Sequence, residues 1–395
     1  MVSLDEKAAV RLVMDLISIP GGSGQESLVA DRIIELLADA GLAESAVSFD
    51  TANRRSPAGG EIGNLIVRLP GTQRVGRRLL MAHMDTVPLA VGCIPVRDGD
   101  WIRPKSGATA LGGDNRAGCA VILTAVLEIL KQQLPHPPLT LLFTVQEETG
   151  LRGARALTVS KLGKPETCFN WDGRDPASLI IGAVGATNLK FRIEGIASHA
   201  GAHPEDGVNA AVIASLAIAD LQKNGWHGLV RKGRQRGASN VGVVRGGDAT
   251  NVVMPHLAVE AEVRSHDADF RNRIVQEWES AFQTASTRVK NADGKHGDVQ
   301  IEQETRYEAF RMPEESDCVI AAAGAVTAAG LRPVTQICDG GLDANWMARH
   351  GFPAVTLGCG QHSIHTVDEK LNLPEFLDAC RIGLLLATGV DTPAG

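Results

Sequence analysis

Residues 111–118 read Leu-Gly-Gly-Asp-Asn-Arg-Ala-Gly, a glycine pair and an acid followed by an apolar run that continues to about residue 132. The helix predicted over 115–132 is apolar nearly all round, so it should be covered on most sides. Asp114 falls where a loop meets the start of this helix. It is either an ordinary N-cap or a carboxylate aimed into a cleft, and the local residues leave both open.

The chain on either side alternates helices and strands. The apolar spacing predicts helices over 5–18 and 27–40 and strands over 64–69, 78–82, 139–145 and 167–171, with a polar loop around Asp98-Gly99-Asp100. The stretch 139–145 is continuously apolar, as a strand buried in a mixed or parallel sheet is. Polar residues collect just past strand ends: His83 and Asp85, then Gln146-Glu147-Glu148, then Asp172. In open α/β sheets that edge is where sites are built. From about residue 187 the pattern changes to strand 187–196, helix 208–223, strands 240–245 and 256–266, helix 268–289 and strand 298–305. That βαββαβ order is the split-βαβ sandwich. Its basic run at 231–236 reads as a solvated loop rather than a binding patch. Helices over 316–329 and 375–388 and strands over 333–337 and 354–357 then resume the α/β pattern. The expected organisation is a first domain in two parts, 1–186 and 307–395, with 187–306 inserted.

At 395 residues the chain is longer than one typical domain, in keeping with two. A net charge of −7 argues against a nucleic-acid surface. No apolar run approaches a membrane span, and residues 1–7 carry acids where a signal peptide needs a basic start. Seven scattered cysteines with no CxxC read as reduced, mostly buried thiols of a cytoplasmic protein.

The acids and histidines at strand ends are His83, Asp85, Asp114, Glu147, Glu148, Asp172 and His365. Imidazoles and carboxylates without thiolate are the ligand set of a catalytic rather than a structural zinc site. Two adjacent glutamates at a sheet edge repel unless a cation or a shared proton resolves them. Neighbours on an extended chain point opposite ways, so Glu147 and Glu148 are expected to have different jobs. Each residue alone has a plain alternative: a structural histidine, a turn acid, a solvated loop. Their recurrence at one sheet edge makes those alternatives poor together.

The motifs Met81-Ala-His-Met-Asp-Thr-Val-Pro88, Gly112-Gly-Asp-Asn-Arg-Ala-Gly118, Val145-Gln-Glu-Glu-Thr-Gly150, Trp171-Asp-Gly173, Ser198-His-Ala-Gly201 and His365-Thr-Val-Asp-Glu369 resemble the di-zinc exopeptidase and amidohydrolase family of peptidase T, carboxypeptidase G and aminoacylase. The texture is nearest the peptidase T-like tripeptidase branch, and the match covers nearly the whole chain in order. The resemblance implies a mixed-sheet, phosphorylase/hydrolase-like α/β catalytic domain carrying an inserted ferredoxin-like α+β lid and dimerisation domain. It implies two Zn2+ per chain, with Co2+ or Mn2+ as possible substitutes. His83 and Asp172 would hold the first metal and Glu148 and His365 the second, with Asp114 bridging both and a cis peptide after it. Asp85 would fix the His83 imidazole. Glu147 would be the general base acting on a metal-bridging water.

From the inserted domain, His199 would stabilise the oxyanion, in dimeric relatives from the partner subunit. Asn251, Arg264 and Asp343 would bind substrate, Arg264 because its guanidinium suits a carboxylate. Leu342 stands where relatives often carry Thr or Ser, which leaves specificity open. His203, His227, His266, His350 and His362 are expected to be structural or solvated. The expected function is amide hydrolysis of short peptides by a cytoplasmic homodimer with no nucleic-acid or membrane partner. An N-acyl-amino-acid amidohydrolase or glutamate-type carboxypeptidase would use the same centre. A binding module on this scaffold would have lost a ligand or Glu147, and the full set is present.

Overall fold

The computed structural model describes residues 3–389, and the chain divides into two compact units, Met1–Ala183 with Arg311–Gly395, and Val184–Phe310.

The first unit is built on a large mixed sheet. Four neighbouring strands, Leu139–Thr144, Arg78–His83, Thr167–Gly173 and Ala354–Gly358, run parallel in that spatial order. Leu139–Thr144 is buried along its whole length, as its apolar run requires. The register pairs His83 with Thr144 and Met81 with Asn170. His83, Glu147 and Asp172 therefore all emerge at the same C-terminal edge. Antiparallel strands Leu65–Leu69 and Val47–Phe49 extend the sheet on one side.

The helix Gly113–Gln132 buries 16 of its 20 residues. It packs against the sheet and against helices Glu6–Ser18 and Leu373–Thr388, which supplies the cover that its all-round apolar sequence demands. Its start is irregular. Gly112 has φ 77°, a left-handed conformation that glycine adopts without strain. The Asp114–Asn115 peptide is cis. At Gly118 a Cβ would lie 2.4 Å from the Trp171 carbonyl oxygen and from Asn115 Oδ1. Asn115 Nδ2 donates to that same Trp171 carbonyl at 2.6 Å. The absent side chain is what lets the helix start press against strand Thr167–Gly173.

Among the differences from the sequence expectation in this unit, two bear on the site. The polar loop near Asp98 is a β-hairpin, Pro95–Asp98 with Trp101–Pro104, turned at Gly99 with φ 59°. It belongs to a small sheet with Lys370–Asn372 and Gln361–His362, and those last two strands bracket the loop carrying His365. A short helix Asp343–Arg349, which the sequence reading lacks, begins at the expected substrate residue Asp343.

The second unit has a five-stranded antiparallel sheet in the order Gly228–Lys232, Gln235–Gly246, His256–Ser265, Gly185–Glu194 and Asp298–Tyr307. Helices Ala210–Lys223 and Ala268–Arg288 share its aromatic core, where Phe191 and Phe282 stack with ring centroids 3.9 Å apart. The strand Gly228–Lys232 is additional to the expected βαββαβ set. It turns the basic run at 231–236 into a hairpin tip, with Gly233 at φ 63°. Only Val230 of that strand is buried, so its polar flanks hide the strand in the sequence. Among the described residues, no helix is long and apolar enough to cross a membrane.

Candidate active site

The edge of the parallel strands gathers two groups of potential metal ligands that share one residue: His83, Asp114 and Asp172, and Asp114, Glu148 and His365. His83 Nε2 lies 3.2 Å from Asp114 Oδ1 and 3.6 Å from Asp172 Oδ1. His365 Nε2 lies 3.2 Å from Asp114 Oδ2 and 3.0 Å from Glu148 Oε2. The Asp114 carboxylate thus turns one oxygen to each histidine. Its Oδ1 is buried without a hydrogen-bond partner. A buried carboxylate oxygen without a hydrogen-bond partner, facing the His83 Nε2, fits a cation, since an orphaned buried acceptor otherwise costs about 1–3 kcal/mol or more.

The His83 ring is oriented from behind. Its Nδ1 is 3.0 Å from the Asp85 backbone oxygen and 3.4 Å from Asp85 Oδ1. A proton on Nδ1, assigned from this carbonyl, leaves the Nε2 lone pair facing Asp114 and Asp172. The Asp85 carboxylate does further work. Its Oδ1 accepts from the Glu147 N–H at 3.0 Å and its Oδ2 from the Glu148 N–H at 3.1 Å, while Ser23 Oγ donates to Oδ2 at 2.6 Å. The glutamate pair follows the strand in a turn opened by Gln146 at φ 56° and closed by Gly150 N–H donating to the Glu147 oxygen at 2.8 Å. The turn, rather than strand alternation, sets where the two side chains go.

Glu369 makes a second clamp of this kind. Its Oε2 accepts from Gly112 N–H at 2.8 Å and its Oε1 from Asp114 N–H at 3.0 Å. It thereby ties the His365 loop, in which His365 itself has φ 63°, to the Asp114 loop. Sequence reasoning missed Ser23 and Glu369 as site residues. The one available cue was that Glu369 closes the motif begun by His365.

Burial and crowding shift the protonation of these groups. Burial alone would lower the His83 pKa, but hydrogen bonds to Asp114, Asp172 and Asp85 raise it well above the usual value. Asp114 and Glu148 raise His365 to about 10. Burial, with Asp114 and Asp343, pushes Asp172 up to about 7. Burial raises Glu147 well above the usual carboxylate range; the His83 charge opposes this, and Asp172, Asp343 and Glu148 add to it. Asp114 goes the other way: burial would raise it, but His365 and His83 hold it far below.

Loading the metal-free protein with zinc at pH 7 is therefore expected to release protons, because both histidines must bind as neutral imidazoles. A raised histidine pKa lets protons compete with the cation up to the folded value, about 10 for His365. Apparent affinity should accordingly rise with pH below that point. Calorimetric titration in two buffers of different protonation enthalpy reads the release. No net release at pH 7 would contradict this electrostatic assignment.

Among the other expected site residues, Asp343 is 1% exposed and accepts from Thr144 Oγ1 at the end of the strand before Val145, and its charge bears on both Asp172 and Glu147. In the second unit, His199 and Asn251 share one local pairing, with Ala200 N–H donating to the Asn251 oxygen at 2.9 Å. His199 is exposed, and its Nδ1 accepts from the backbone N–H groups of Gly201 and Ala202 at 3.2 and 3.0 Å. Arg264 departs from the expectation that it waits for a substrate carboxylate: its Nε and Nη2 donate to the two oxygens of Glu262 at 2.6 and 3.1 Å.

Imidazoles and carboxylates converging on a shared aspartate, beside a turn that offers another, half-buried glutamate, are the donor set of a catalytic metal site in a hydrolase. Residues 79–388 match peptidase family M20/M25/M40, and the chain belongs to that family. It is similar to a tripeptidase from Staphylococcus aureus subsp. aureus mu50, at 28% identity and TM-score 0.88 over 98% of this chain and 99% of that one. It is similar to the aminopeptidase PepT from Bacillus cereus ATCC 10987, at 28% identity and TM-score 0.84 over 98% and 100% of the two chains. Carboxypeptidase G2 from Pseudomonas sp. (strain RS-16) is 29% identical over 91% of this chain and 84% of its own length. The chain is a peptidase, with the mixed α/β architecture of its relatives.

Proposed function

We propose that this protein is a two-metal exopeptidase that hydrolyses short peptides, tripeptides foremost. The observation that carries the reading is the division of the Asp114 carboxylate between His83 and His365. His83, Asp172 and Asp114 would hold one cation, and Glu148, His365 and Asp114 the other. Zinc is the expected ion, with cobalt or manganese able to substitute; when bound, the pair supplies Lewis acidity and brings a shared water towards neutral pKa.

The protein's own groups do the rest. Glu147 accepts the proton of the attacking water and returns it to the leaving amine, a role suited to a half-buried carboxylate whose pKa is raised. Asp85 keeps both the His83 ring and the Glu147 turn in place. His199, with Nδ1 occupied by backbone donors, keeps its proton on Nε2 and donates to the oxyanion. Asn251, on the same local pairing, binds a polar group of the substrate. Similarity to the tripeptidase and to PepT supports tripeptides as substrates. Six of the seven cysteines are buried thiols, which supports a reducing, cytoplasmic setting.

Di- and tripeptides blocked at one end or the other test the reading. The expected result is hydrolysis of free tripeptides that is abolished by an N-terminal block. Cleavage that survives that block but fails on C-terminal amides would move the assignment to a carboxypeptidase, the reading favoured by likeness to carboxypeptidase G2. We further propose a homodimer formed through the second unit, with His199 serving the partner's centre. Mixing His199→Ala with Glu147→Ala protomers is expected to restore up to about a quarter of wild-type activity, by statistical assembly of one intact site per heterodimer. Verified heterodimers that stay inactive would place His199 in its own chain's site.

A further inference from the structure

The turn that carries the glutamate pair is held by more than Asp85. Three consecutive backbone N–H groups, of Gln146, Glu147 and Glu148, each donate to a buried carboxylate. Asp85 takes the last two. The first goes to Glu26 Oε1 at 3.0 Å, which also accepts from Gly24 N–H at 2.7 Å. Glu26 belongs to no ligand group, lies 120 residues from Gln146 and is 0% exposed.

Its placement is unusual for its position. Glu26 is the N-cap of helix Ser27–Asp39, yet its side chain makes no capping bond to that helix. A glutamate there costs nothing when solvated, whereas a buried carboxylate carries a desolvation penalty of several kcal/mol. Here it is turned inward onto Gln146, and its Oε2 has no hydrogen-bond partner. The buried Arg116 guanidinium, whose Nη2 donates to Gly21 O at 3.0 Å, puts a positive charge near both Glu26 and Asp85. The other contacts of Gln146 point the same way. Its left-handed backbone is pinned by side-chain bonds at 2.6 Å to Ser56 Oγ and Gly59 O. Gln146 is thus fixed at its N–H and at both ends of its amide, immediately before Glu147.

We infer that Glu26 is a positioning residue for the general base: by accepting the Gln146 N–H it sets the start of the turn and so the reach of Glu147 to the attacking water. The inference rests on the reading of Glu147 above. The role is backbone acceptance, so it needs an oxygen at the right distance more than it needs charge. Glutamine at 26 keeps that oxygen, aspartate draws it back by one methylene, and alanine removes it.

The test measures kcat, KM and bound metal for the metal-loaded full-length protein and its Glu26→Ala, Glu26→Asp and Glu26→Gln variants, with Glu147→Gln alongside. Misplacing a catalytic group by about 1 Å can cost about 100-fold, so Glu26→Ala is expected to lose roughly 30- to 100-fold in kcat and Glu26→Asp about 10-fold. KM should change by less than about threefold and metal content should match wild type, because every proposed ligand is untouched. Glu26→Gln should recover to within about threefold of wild type, a rescue that mere destabilisation by the other variants would not explain. Folded, metal-loaded Glu26→Ala with wild-type kcat would overturn the assignment, as would Glu26→Gln no better than Glu26→Ala. If Glu26→Ala does not fold, wild-type kcat in Glu26→Asp overturns it equally. A metal-loaded wild type that cleaves no peptide would bring down the peptidase mechanism and this role with it. Active wild type beside unaffected Glu26 variants would remove this role alone.

Discussion

Glu147→Gln is expected to keep its metal and lose turnover by about 10²–10⁴-fold, the range that a positioned general base contributes. The amide is isosteric with the carboxylate, and the Glu147 N–H bond to Asp85 is a backbone bond that the substitution leaves intact. None of the groups that could hold a cation includes Glu147, so metal content should stay at the wild-type value. A second readout separates loss of the base from loss of the fold. The Glu147 pKa is raised in the folded protein, so above the unfolded value of about 4.5 the unfolded chain gives up a proton that the folded chain retains. Stability contributed by the protonated form is thus lost as pH rises, and removing the acid should raise the thermal midpoint of metal-free protein at neutral pH. An inactive variant with a lowered midpoint would point to misfolding; an active one would reassign the base.

Asp114→Ala is expected to do the opposite to the metal. Both ligand groups pass through Asp114, one oxygen to each histidine. Its loss should lower affinity at both positions together, whereas Asp172→Ala or His365→Ala should chiefly weaken one. Activity should fall by about 10³-fold or more, since activation of the water goes with the ions. The variant also removes the acid that helps hold His83 and His365 protonated, so proton release on zinc addition should shrink. Elemental analysis after dialysis is the measurement. Two full equivalents bound to Asp114→Ala would show that the carboxylate does not bridge.

Three of the five proposed ligands are legible because each sits where a periodic element starts or stops. His83 ends a strand, Asp172 is the next-to-last residue of one, and Asp114 opens a helix with 16 of its 20 residues buried. Parallel pairing then puts such ends on one edge. The clamps are not legible in this way. Glu26 reaches Gln146 across 120 residues and Glu369 reaches Asp114 across 255, and nothing local tells such an acid from a solvated one. The sequence reading gives Asp85 only the His83 imidazole, which it meets, whereas its carboxylate also holds the next turn. The hairpin strand Gly228–Lys232 escapes because one buried valine is too little alternation to see. The Arg264 pairing is different in kind: Glu262 stands two residues earlier on the same face of one strand, a neighbour that strand geometry brings alongside. That pair argues for a structural bond where a substrate contact was expected.

Whether two cations on one shared aspartate drive peptide hydrolysis is tested most directly by adding zinc stepwise to metal-free protein while following hydrolysis of a free tripeptide. Activity should be near background without metal and reach its plateau at two equivalents per chain, as a two-metal centre requires. Full hydrolysis by protein shown to be metal-free, or a plateau reached at one equivalent, would contradict the account.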